Sequence, residues 1–78
     1  MKLNVIIRKG EKQYVALCPE LNVVSQGYTI EEAIINVKEA IELYIEEMGI
    51  PEEIENQDMI LVSIEIPDNN AKTSEIVG

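Results

Sequence analysis

Tyr14-Val15-Ala16-Leu17-Cys18-Pro19-Glu20-Leu21-Asn22-Val23-Val24-Ser25-Gln26-Gly27-Tyr28-Thr29-Ile30-Glu31-Glu32-Ala33 is the stretch that decides the fold. Gln13 to Cys18 is a β-rich apolar run, and it stops at Pro19, which has no N–H to give a ladder. Asn22 to Gln26 reads as a short further strand. Gly27 follows at the point where the chain must turn, and the expectation there is a positive φ that glycine adopts without strain. Thr29 and Glu32 then form a T-x-x-E capping box. The threonine oxygen accepts from an N–H of the first helical turn, and the glutamate reaches back to the cap N–H.

Outward from this box, a helix is predicted from Ile30 to about Met48. Ile30, Ala33, Ile34, Val37, Ala40, Ile41, Tyr44, Ile45 and Met48 share one stripe at 100° per residue. Gly49 supplies the C-terminal cap and Pro51 the stop. Ile35 and Leu43 fall outside the stripe, on a face rich in glutamate. In the other direction, Leu3, Val5 and Ile7 alternate with Lys2, Asn4 and Arg8, the period of a half-buried strand. Lys9-Gly10-Glu11-Lys12 is the polar turn between the first two strands.

Beyond the helix, residues 51–58 read as a polar, acidic connection. Met59 to Ile66, bounded by Asp58 and Pro67, is then predicted as the last strand. The order β-β-β-α-β, a three-stranded antiparallel meander followed by one long helix and a final strand, is that of an α+β domain over 1–66. A polar, flexible C-terminal tail is expected over 67–78. One helix covers only one face of a sheet. Leu3, Val5, Ile7, Tyr14, Ala16 and Cys18 are expected under it, together with Ile60, Val62, Ile64 and Ile66. That leaves Ile6, Val15, Leu17 and Leu61 on the other face. Each is worth about 1.5–3 kcal/mol if buried rather than wet, so this face is expected to meet another subunit or a partner.

The 78 residues carry a formal net charge of -9. Phosphate binding is driven by lysine and arginine, so free nucleic acid is not the expected partner. A basic protein is, since complementary fields speed encounter. Lys2, Arg8, Lys9 and Lys12 place four of the six basic residues in the first hairpin, against an acidic helix. There is no histidine, no P-loop and no dinucleotide fingerprint. The single Cys18, in an apolar strand, reads as a small buried hydrophobe rather than a nucleophile. The helix acids read as a solvated face rather than a metal site, and a two-metal nuclease needs several converging carboxylates. These features predict no enzyme activity, no metal and no cofactor. One cysteine makes no internal disulfide, no apolar run approaches the roughly 20 residues of a membrane span, and Met1-Lys2-Leu3-Asn4-Val5 is too polar for a signal peptide. The expected location is the cytoplasm.

Three segments resemble the HicB-like antitoxin family: the aromatic strand leading into Cys18-Pro19-Glu20-Leu21, then Val24-Ser25-Gln26-Gly27, then Thr29-Ile30-Glu31-Glu32-Ala33 continuing to Lys38-Glu39-Ala40-Ile41-Glu42-Leu43-Tyr44. The likeness covers about residues 1 to 48 well and the last strand loosely. It departs at Leu21-Asn22-Val23-Val24, where many HicB-like proteins carry a Pro-Gly-Cys step. Many also continue into a DNA-binding domain, and this chain is expected to lack one.

The resemblance implies a partial ribonuclease-H-like fold without the nuclease carboxylates, and a homo-oligomer, dimer or tetramer. It also implies a partner: a small basic HicA-type toxin that cleaves messenger RNA and is neutralised when its active and RNA-binding surface is occluded. Glu20, Ser25, Gln26 and Tyr28, clustered around a loop, are the expected toxin contacts. The alternative is an orphan HicB-like oligomeric module, structural or regulatory, with another protein partner. A degenerate nuclease would instead show metal-dependent cleavage lost on carboxylate substitution.

Overall fold

The computed structural model describes residues 1–55 and 58–68. Three strands, β1 (Ile6–Lys9), β2 (Tyr14–Cys18) and β3 (Val23–Gly27), form one antiparallel sheet in the order β1-β2-β3. The long helix α1 (Ile30–Met48) packs over β3 and β2, and a single turn, α2 (Glu52–Glu55), follows. The architecture is α+β, a meander and a helix, as the order of signals predicts.

The pairing register converts alternation into two unlike faces. Ile6 lies opposite Leu17 and Leu17 opposite Val24, while Arg8 pairs with Val15 and Val15 with Gln26. Directly opposed residues point the same way, so these side chains share the face turned away from α1. The other parity carries Ile7, Ala16 and Cys18 toward the helix. Ala16 and Cys18 are buried there with Ala33, Val37 and Ile41 of α1, and Leu3, Ile7, Tyr14, Tyr44 and Ile45 pack around them. Leu21 and Ile54 complete the core. Ile30, Ile34 and Met48 belong to the helical stripe but stay exposed, because α1 packs over β3 and β2 and the stripe extends past them.

Several expectations are corrected. Gly27 does not have a positive φ; among the described residues the positive values are at Asn22 (55°) and Gly49 (79°). Glycine is required at 27 for space. A Cβ there would stand 2.5 Å from the Ala33 nitrogen and 2.7 Å from the Glu32 carbonyl carbon, so the first turn of α1 rests directly on the strand. Asn22 takes the left-handed conformation in the β2–β3 turn, which asparagine tolerates best among non-glycine residues. The third strand accordingly starts at Val23.

The capping box forms with one change. Thr29 Oγ1 accepts from the Glu32 N–H at 3.0 Å, but the Glu32 carboxylate accepts from the Tyr28 N–H at 2.9 Å, one residue before the cap. The first strand is shorter at its start than predicted, because the Asn4 N–H donates to the Glu20 carboxylate instead of to a ladder carbonyl.

The connection after α1 is not merely polar: Pro51 accepts from the Ile54 N–H at 3.1 Å, and the resulting turn drives Ile54 into the core. The predicted last strand is absent within the chain. Residues 58–67 carry no strand and all of 58–68 are exposed, so Ile60, Val62, Ile64 and Ile66 do not lie under the helix. A strand needs a ladder partner, and among the described residues the run pairs with none. Of the expected tail, residues 69–78 lie outside the described residues.

Candidate interaction surface

The uncovered face of the sheet holds an open groove of about 230 Å³ lined by Ile6, Arg8, Val15, Leu17 and Val24. Its walls are β-branched and aliphatic side chains from all three strands, with the Arg8 guanidinium as the one charge. Val24 is 57% exposed and Ile6 38%, while Val15 and Leu17 are half-buried between their neighbours. An apolar concavity with a cationic edge suits a protein surface better than a small polar metabolite, since few polar groups converge in it.

Of the four residues expected on this face, Ile6, Val15 and Leu17 come together and Leu61 does not. Leu61 stands 80% exposed in the run after α2. Gln26, expected as a toxin contact, is exposed on the same face beside Val15. Sequence reading passed over Val24 and Arg8 as lining. The alternation of β3 carries the signal, because Val24 has the parity of Gln26 and lies opposite Leu17.

The remaining expected contacts are dispersed. Glu20 sits in the β2–β3 turn and ties it to the N-terminus. Its carboxylate accepts from the Asn4 backbone N–H at 3.0 Å and the Asn4 side-chain amide at 2.7 Å, with the Cys18 thiol donating at 3.6 Å. Desolvation pulls the Glu20 carboxyl upward, but hydrogen bonds from the Glu20 and Asn4 backbone N–H groups and the Asn4 amide outweigh it and hold the group below its ordinary range. Burial pushes the neighbouring Cys18 thiol up, and the Glu20 charge adds to that. Cys18 is fully buried, so it serves as a small core residue.

Ser25 is half-buried on the helix side of β3, and Tyr28 is exposed at the junction with α1. The Asn36 amide donates to the Gln26 carbonyl at 2.8 Å, fixing one flank of α1 against β3. Ile35 and Leu43 are exposed on the outer side of the helix. Among the described residues, no group of three or more acids, cysteines or histidines is placed to hold a metal ion, and no helix is long and apolar enough to cross a membrane.

Sequence comparison finds relatives of this chain. The chain is 47% identical over 53 residues to a UPF0150 protein of Helicobacter pylori, covering 67% of this chain and 74% of that protein. It is 50% identical over 50 residues to a UPF0150 protein of Thermoplasma acidophilum, covering 62% of this chain and 72% of the relative. A third, from Synechocystis, is 61% identical over 36 residues, 45% of this chain and 46% of its own length. No family profile and no solved structure matches. At this identity and coverage, the chain belongs to the UPF0150 family.

Proposed function

We propose that this protein is an antitoxin-like interaction module of the HicB kind, which binds a small basic HicA-type toxin and prevents it from cleaving messenger RNA. The observation that carries the reading is an apolar groove left open on a chain of net charge -9. Burying such a face is favourable for either a partner or a second copy. The net negative charge, concentrated in the glutamates of α1 on the other side of the sheet, complements a protein whose own work is to bind phosphate, so occupying that electropositive surface would block RNA. In this reading the protein is not an enzyme, uses no cofactor, works in the cytoplasm and self-associates as a dimer or tetramer. Gln26 and Tyr28 are exposed near the groove and the strand–helix junction, the positions from which they would touch the toxin. Glu20 would contribute mainly by shaping its loop.

The test is a mixture of the purified protein with the product of an adjacent gene encoding a small basic protein, followed by size-exclusion with light scattering and an RNA-cleavage assay. A stoichiometric complex that suppresses cleavage supports the reading, and Leu17→Asp should weaken it. An oligomer that ignores every such protein supports the second reading, an orphan module with another role. The extent of exposed apolar surface favours that alternative as well, because self-association alone would cover it.

A further inference from the structure

The run Met59-Ile60-Leu61-Val62-Ser63-Ile64-Glu65-Ile66 is the least explained feature of the molecule. It has the composition of a strand, with β-branched residues at every even position and one charge in eight. Yet Ile60 is 82% exposed, Leu61 80% and Ile64 77%, whereas Ile54, a few residues earlier, is 8% exposed in the core. No monomer gains from holding five large aliphatic side chains in water. The sheet offers a matching vacancy. β1 pairs only with β2, so its outer edge has no strand beside it among the described residues. The opposite edge is less open, since α1 lies over β3, rests on Gly27 and donates through Asn36 to the Gln26 carbonyl.

We propose that Met59–Ile66 of one copy adds to the sheet of a second copy as a fourth strand on the free edge of β1, and that the exchange is reciprocal. Charge selects the second copy and this edge. The first ten residues hold Lys2, Arg8 and Lys9 and no acid, while the run carries Glu65, follows Asp58 and is followed, after Pro67, by Asp68. These two stretches attract in a molecule whose helical surfaces repel one another. The pleat fits too. With Ile60, Val62, Ile64 and Ile66 turned to the helix side, they extend the layer of Leu3 and Ile7. They also approach Ile34, which α1 leaves 44% exposed on the flank opposite Asn36. Met59 and Leu61 then lie on the open face beside Ile6, lengthening the groove. A paired edge also removes the unpaired backbone groups that make free strands prone to aggregate.

The inference deepens the self-association part of the proposed function and is independent of any toxin. It is tested by light scattering together with methyl NOEs in an equal mixture of isotope-labelled and unlabelled protein. The expected result is a dimer with intermolecular contacts between the Ile60–Ile66 methyls and Ile7. A dimer whose contacts from this run are all intramolecular overturns the exchange and leaves self-association standing. A monomer at high micromolar concentration overturns both. The double variant V62D/I64D changes residues exposed in the single chain, so the sheet and helix should persist by circular dichroism while association weakens at least about 100-fold. Association within about threefold of the unmodified protein refutes the proposal.

Discussion

Replacing Gly27 by alanine isolates the contact that seats the helix on the sheet. The added Cβ meets the Ala33 nitrogen at 2.5 Å, the Glu32 carbonyl carbon at 2.7 Å and the Glu32 Cβ at 2.9 Å. Two of these are backbone atoms of the first turn, so no side-chain rotation relieves them and the helix start must move. Overpacking of this kind costs about 1–3 kcal/mol. Displacement also strains the Thr29 and Glu32 hydrogen bonds at 3.0 and 2.9 Å, and losing a cap costs about 1 kcal/mol. The expected loss is therefore about 2–4 kcal/mol, or roughly 8–16 °C in Tm at the lower end for a domain of this size. Urea denaturation at one fixed protein concentration measures it, since association shifts apparent stability. Gly49→Ala is the control with a different cause. Nothing lies within 4 Å of its Cβ, but φ 79° and ψ 177° lie in a region essentially confined to glycine, costing about 1–3 kcal/mol. A Gly27→Ala loss below about 0.5 kcal/mol would refute the close seating of α1 on β3.

Thr29→Ala should lower stability by about 1 kcal/mol by chemical denaturation, since it removes the acceptor for the Glu32 N–H. Ile54→Ala should cost about 2 kcal/mol by the same measurement, which would be negligible if α2 did not dock. Glu20→Gln should cost about 1 kcal/mol near neutral pH and speed hydrogen exchange at Asn4. Because the Glu20 carboxyl is lowered in the folded state, its contribution is complete above the ordinary carboxylate range and disappears as pH falls through the folded value. The stability difference between the two proteins should therefore shrink under acid conditions.

The helix was legible to the residue because its signals are local: a capping box at the start, a 3.6-residue stripe and a glycine at the end. The parity of β1 and β2 was legible for a similar reason, and it placed Ile6, Val15 and Leu17 on the uncovered face. Other features depended on the tertiary context. A glycine excluded by steric contact reads in sequence like one required for a positive φ, so the cause at Gly27 emerged only from its neighbours. Ile54 stands alone among acids, and only the Pro51 turn shows that it points inward. The run 59–66 has the local character of a strand, but strand formation requires a partner edge, which no local signal supplies. The groove needed the β2–β3 register, which brings Val24 beside Leu17.

Light scattering of the protein alone, and then with the adjacent-gene basic protein while RNA cleavage is followed, tests the central claim most directly. The account predicts a self-associated acidic protein that forms a stoichiometric complex and abolishes cleavage. Undiminished cleavage with no complex at micromolar concentrations would contradict the antitoxin reading.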